Sequence, residues 1–108
     1  MKFTVCLTGD AERDLADIVD YIAAQDAPAK ADHVLDKIAR ILDSLAEFPE
    51  RGAFPKELAT LGIREYREVL FKPYRIIYSV SEKRVYVYLI TDGRRDLRQL
   101  LERRLLGS

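Results

Sequence analysis

The stretch from Arg64 to Asp92 limits what this chain can become. It reads REYREVLFK, PYRIIYSV, SEK and RVYVYLITD, with β-branched and aromatic residues throughout. Lys72-Pro73 and Ser81-Glu82-Lys83-Arg84 punctuate it. Strand-forming runs separated by turn signals predict a three-stranded antiparallel meander. Strict alternation along Tyr74 to Val80 puts Tyr74, Ile76, Tyr78 and Val80 on one face and Arg75, Ile77 and Ser79 on the other. Along Val85 to Thr91 it puts Val85, Val87, Leu89 and Thr91 on one face and Tyr86, Tyr88 and Ile90 on the other. Both faces are partly apolar, so one should meet helices and the other should be half covered.

The rest of the chain supplies the covering elements. Phe3, Val5 and Leu7 alternate with Thr4, Cys6 and Thr8 and predict a short N-terminal strand. Thr8-Gly9-Asp10 is a helix start, and Leu15, Ile18, Val19 and Ile22 follow at helical spacing. Gln25-Asp26-Ala27-Pro28 interrupts that pattern, with the proline placed for the first turn of a second helix. The second stripe is Ala31, Val34, Leu35, Ile38, Ile41, Leu42 and Leu45, ending near Phe48-Pro49. Two amphipathic helices joined by so few residues predict an antiparallel hairpin packed on the sheet. Glu50 to Gly62 reads as a loop, tacked to the core by Phe54, Leu58 and Leu61. After Asp92-Gly93-Arg94-Arg95-Asp96, the leucines Leu97, Leu100, Leu101 and Leu105 predict a short amphipathic C-terminal helix. The fold class is therefore α+β, in a single domain spanning residues 1–108.

Charge is divided along the chain although the net is zero. Gly9 to Glu50 carries 11 acidic and 4 basic residues, whereas Arg51 to Ser108 carries 13 basic and 7 acidic. Such a split suits a polyanionic or acidic partner on the basic half, and equally a solvated acidic helix surface. No apolar run approaches the roughly 20 residues of a membrane span, and the N-terminus lacks the pattern of a secretion signal. A soluble cytoplasmic protein is expected. A single cysteine excludes an internal disulfide and a cysteine-based zinc site. The one histidine, His33, falls on a solvated helix face, so no metal, no cofactor and no Ser-His-Asp set is expected.

What remains for chemistry is an arginine set with interleaved tyrosines. Arg64, Arg67, Arg75, Arg94 and Arg95 offer planar forks for phosphate or carboxylate. Tyr66, Tyr74, Tyr78, Tyr86 and Tyr88 could stack nucleic-acid bases, or could serve as core-margin and cross-strand residues. Arg75 stands inside an apolar strand, where an unpaired charge is costly. It must pair with a carboxylate, Glu68 or Asp92 being placed for it, or face a functional groove.

Tyr74-Arg75-Ile76-Ile77-Tyr78, Asp92-Gly93-Arg94-Arg95-Asp96 and the Leu-Leu/Arg-Arg-Leu-Leu ending resemble the RelE/ParE superfamily of type II toxin–antitoxin toxins. Asp14-Leu15, Ile18 to Ile22 and the Phe48-Pro49 to Gly52 loop extend the resemblance over nearly the whole chain. It implies one of two activities: RelE-like cutting of messenger RNA on the ribosome, or ParE-like inhibition of DNA gyrase by binding. Arg75 and Arg95 match arginines of the cleaving members. Leu101, however, stands where those members carry a terminal tyrosine, and Tyr66 and Glu68 stand where they carry lysines. Strand cleavage needs groups that move protons, which arginine does poorly.

The ParE-like activity is therefore the preferred expectation, with no catalytic residue. If the chain is an RNase, Arg75, Arg95, Tyr66 and Glu68 are its candidates. Arg75, Arg94, Arg95, Arg98, Arg103 and Arg104 are candidates for target contact. An inactive toxin-fold binding module is the third possibility. The resemblance further implies a cognate antitoxin from an adjacent gene and a toxin–antitoxin hetero-oligomer. Leu97, Leu101, Leu105 and Leu106, read as an exposed apolar tail, and the groove between hairpin and sheet are the expected landing sites.

Overall fold

The computed structural model describes residues 2–105. The elements are β1 (Thr4–Leu7), α1 (Gly9–Gln25), α2 (Pro28–Glu47), α3 (Lys56–Ala59), β2 (Tyr66–Phe71), β3 (Tyr74–Ser81), β4 (Arg84–Asp92) and α4 (Leu97–Leu105). The Thr8 hydroxyl caps α1 by accepting from the Ala11 N–H at 3.1 Å, and Asp10 and Glu12 occupy its first turn. Pro28 opens α2, where its missing N–H costs nothing. Only Asp26 and Ala27 separate the two helices, and they pack on each other as a hairpin.

The sheet runs β1-β4-β3-β2. β2, β3 and β4 form the antiparallel meander, and β1 adds to β4 in parallel, Val5 opposite Val85. The whole sheet is thus mixed, because the chain returns to β4's free edge only after crossing over through the hairpin. No described helix is long and apolar enough to cross a membrane.

Two apolar cores form, one on each face. The inner core joins Ile22, Val34, Ile38 and Leu45 of the hairpin to Val69, Ile76, Tyr78, Val85, Val87 and Ile90 of the sheet. The outer core joins Ile77 and Leu89 to Leu58, Leu97 and Leu101. The alternation expected for β3 holds. That for β4 fails halfway, because Ile77 pairs with Leu89 while Tyr78 pairs with Val87. Tyr88 is the extra residue of a β-bulge, and a one-residue slip exchanges the faces of everything beyond it. Val85 and Val87 share a face as read, the one toward the hairpin, but Leu89 turns to the outer core and Ile90 to the inner one.

The segment read as a loop is more structured than its composition implies. α3 buries Leu58, whereas Leu61, expected to tack the segment down, is 54% exposed. The tight turn after α3, closed by Leu61 N–H donating to Leu58 O with Gly62 at φ +78°, sends that side chain outward. Upstream, Gly52 crosses over buried Tyr78. The Tyr78 hydroxyl donates to Pro49 O at 2.7 Å and accepts from the Gly52 N–H at 3.0 Å. A Cβ at Gly52 would lie 2.6 Å from both Glu68 O and Tyr78 Oη.

Gly52→Ala is therefore expected to lower stability by about 2 kcal/mol through overpacking. Tyr78→Phe should cost about 1–3 kcal/mol by leaving the Gly52 N–H buried without an acceptor. Thermal or urea melts of the two variants check both values.

Candidate functional site

The outer face of the sheet holds a largely buried ion-pair cluster centred on Arg75. Arg75 sits on β3 between Leu70 of β2 and Thr91 of β4. Its Nε donates to Glu68 Oε1 at 2.7 Å, and its Nη1 and Nη2 donate to the two oxygens of Glu57 at 2.8 and 2.9 Å. The three side chains are only 14–19% exposed. The Arg75 guanidinium holds the Glu57 carboxyl below the usual carboxylate range, and the two carboxylates raise the guanidinium further above its own.

Of the two carboxylates foreseen for Arg75, Glu68 pairs with it and Asp92 does not. Asp92 instead accepts from the Arg94 backbone N–H, Nε and Nη2, which holds its pKa down at about 2. Glu57 was missed because it lies 18 residues away, in a segment without helical periodicity long enough to place it. Gly93 closes the site from above: a Cβ there would meet the Arg75 stem at 3.0 Å.

Over this ion-pair floor opens a shallow cleft of about 520 Å³, rimmed by Phe54, Lys56, Leu70, Lys72 and Arg94. A second groove, of about 760 Å³, lies between the hairpin and the β2–β3 turn, with Ile18, Ile22, Val34, Phe71 and Tyr74 among its lining. Tyr66 does not share the first cleft. It lies four residues along β2 from Leu70, roughly 13 Å from Arg75's position at about 3.3 Å per residue. Its ring is packed edge-on against Tyr88 at 5.5 Å, and burial pushes its hydroxyl pKa up.

The tail departs from expectation. Leu97 and Leu101 are not an exposed strip: they are 3% and 1% exposed and fill the outer core over Ile77 and Leu89, apolar residues that would otherwise face water. Leu105 is half-buried against the same cluster, and Leu106 lies outside the described residues. Arg104 likewise is not a free cation. It grips Asp14 of α1 at 2.8 and 3.1 Å and donates to Tyr88 O at 2.8 Å. Asp14 also accepts from the Ile90 N–H at 3.0 Å. β1 ends opposite Val87, so this pair satisfies the backbone of β4 where its neighbour strand has run out. Arg94, Arg95, Arg98 and Arg103 remain exposed, Arg94 while holding Asp92. Among the described residues there is no group of three or more metal-ligating side chains.

Comparison with known proteins places this geometry. The family model described as the ParE toxin of the type II toxin–antitoxin system parDE matches residues 5–97. The chain belongs to the ParE toxin family. A relative named Toxin RelE2, from Caulobacter vibrioides, is 38% identical over 91 residues, covering 84% of this chain and 96% of the relative. A solved structure described as the chromosomal ParDE TA system from P. aeruginosa has the same fold, with a TM-score of 0.70 over 84% of this chain and 96% of that one, at 19% identity. The protein is thus a type II toxin of the ParE/RelE kind, with the N-terminal strand, paired helices, four-stranded sheet and C-terminal helix of that fold. The family match ends at Leu97, so the arginines of α4 beyond that residue lie outside it.

Removing Arg75 would leave Glu57 and Glu68 facing each other without a cation. Arg75→Ala is expected to cost about 2–3 kcal/mol, below the value for a fully buried pair because some solvent reaches the site. Arg84→Ala, at the exposed first residue of β4, should change the melting temperature little.

The depressed Glu57 also makes a prediction about acid. A carboxyl with a lowered folded-state pKa stabilises the fold above its unfolded value, near about 4.3, and loses that contribution as pH falls through the folded one. Melts between about pH 7 and about pH 3 should show this loss, and Glu57→Gln should flatten it while lowering stability at neutral pH.

Proposed function

We propose that this toxin acts by gripping a protein target, DNA gyrase, and that a cognate antitoxin holds it silent in a toxin–antitoxin hetero-oligomer. The observation that carries this reading is the state of Arg75. Three of its five N–H donors are committed to Glu57 and Glu68. One guanidinium shared by two carboxylates has no spare positive charge to stabilise a phosphodiester's transition state, and the other cations, Lys56, Lys72 and Arg94, stand on the rim of the cleft. Glu57, held ionised by Arg75, is a poor proton donor. Tyr66 is too far along the strand to serve as its partner. The exposed arginines Arg94, Arg95, Arg98 and Arg103 supply a basic surface for contact with the target. The hairpin–sheet groove, with its apolar floor and charged rim, suits a segment of the antitoxin that orders on binding.

Ribosome-dependent cleavage of messenger RNA is the second reading. It is favoured by the name of the Caulobacter relative and by the presence of two carboxylates beside Arg75 in an open cleft. In that case substrate would have to displace Arg75 from at least one of them.

Purified protein separates the two. Gyrase supercoiling of a relaxed plasmid should be blocked, with the block relieved by the antitoxin, while messenger RNA on programmed ribosomes stays intact. Codon-specific fragments from the ribosome assay, with supercoiling unimpaired, would reverse the order. Loss of neither activity would leave an inactive binding module.

A further inference from the structure

We propose that copies of this chain associate head to tail, the Leu61 turn of one copy seating in an apolar, acid-flanked groove on the helical hairpin of the next. The inference is independent of which target the toxin inhibits.

Leu61 stands clear of the molecule. It is 54% exposed, on the turn that closes α3, where Gly62 takes φ +78°. Arg98 of α4 lines the same crevice. Lys56 of α3 and Arg103 of α4 are exposed in the same outer layer, and none of these three cations makes an ion pair among the described residues. Of the acids in the crevice, Glu57 is already held by Arg75, and Glu102 offsets one cation. A leucine knob is thus set among surplus positive charge.

The hairpin offers the matching hole. A groove of about 480 Å³ opens over Leu15, Ala16, Val19 and Leu35. Leu35 is 39% exposed although it continues the apolar stripe of α2. Glu12 and Asp20 line the groove, exposed and without an ion pair among the described residues. Exposed apolar surface rimmed by charge of one sign suits an apolar knob rimmed by the other.

Both halves of this fit belong to one chain, which selects a second copy as the occupant. The net charge is zero, so copies do not repel each other as wholes. The hairpin covers the inner face of the sheet, whereas α3 and α4 cover the outer face. Knob and groove therefore lie on opposite sides of the molecule. A twofold dimer would set each surface against itself, acid on acid or base on base. The contact is instead heterologous, and every added copy leaves one knob and one groove free for the next.

The test is sedimentation velocity on the full chain from about 10 μM to about 1 mM, in about 50 mM and about 500 mM salt. The average mass should climb past the dimer with concentration at low salt, and high salt should weaken association about tenfold. Leu61→Glu, which spoils the knob, and Leu35→Glu, which spoils the groove, should each be monomeric with a melting temperature close to that of the parent. Should Leu35→Glu melt early, Ala16→Glu, at an exposed position of the same groove, takes its place. An equimolar mixture of the knob and groove variants should form a dimer and stop there, because one copy keeps a sound groove and the other a sound knob.

A parent chain that stays monomeric throughout overturns the proposal, and so does one that stops at a dimer. Variants that associate like the parent, a mixture that stays monomeric, or association that strengthens with salt would each do the same. A monomeric chain whose Leu15 and Leu35 methyl resonances shift with a helical peptide of leucine and lysine would give the groove to a different protein. None of these outcomes depends on the gyrase assay.

Discussion

Arg75 carries a fixed positive charge on the middle of a sheet that is covered on both faces. Burial of that charge without a partner would cost several kcal/mol, so the outer layer is arranged to neutralise it. Glu68 comes from the adjacent strand and Glu57 from α3, and the bidentate geometry of the second pair fixes α3 against the sheet. With α3 in place, Leu58 enters the outer core and meets Leu97 and Leu101 of α4. Gly93 lies close above the arginine stem, where a Cβ would come within 3.0 Å of Arg75 Cδ and 3.1 Å of Pro73 O. The ion-pair network thus positions a loop, a helix and the turn leading into α4.

A second polar closure works on the opposite side of the sheet. β1 is too short to pair the whole of β4, and the bulge at Tyr88 leaves backbone groups out of the ladder. Asp14 and Arg104 act as a substitute neighbour, one accepting from Ile90 and the other donating to Tyr88. Because the two residues also pair with each other, the same bonds tie the C-terminal helix to the first helix. α4 is therefore part of the packed domain, with its leucines inward and Arg98 and Arg103 outward. Among the described residues, α4 presents Arg98 and Arg103 to solvent and keeps Leu97 and Leu101 buried.

These two networks decide which arginines are available. Arg75 and Arg104 have structural partners, and Arg94 is partly engaged by Asp92. Arg95, Arg98 and Arg103 project from the surface together with Lys56 and Lys72. A phosphate-stabilising centre needs donors that point at the reacting group and are free to do so. This chain turns the Arg75 guanidinium toward its own carboxylates, Glu57 and Glu68.

Much of the fold was legible along the chain because the signals are local. Periodicity, the Thr8 cap, Pro28 and the turn sequences each act within a few residues, and they determined the two helices, the meander, the N-terminal strand and the C-terminal helix. The need of Arg75 for a carboxylate was legible too, since it follows from one charge in an apolar strand. The choice of partner was not. Glu57 reaches Arg75 only after a segment without periodicity folds into α3, and Asp14 reaches Arg104 across most of the chain. The bulge at Tyr88 exchanged the two faces of β4 beyond it through a single added residue, which no alternation pattern marks. Side-chain pairing across long sequence separations and strand register depend on where whole elements come to rest, so only the tertiary structure could decide which charges are buried in pairs and which are left for a partner.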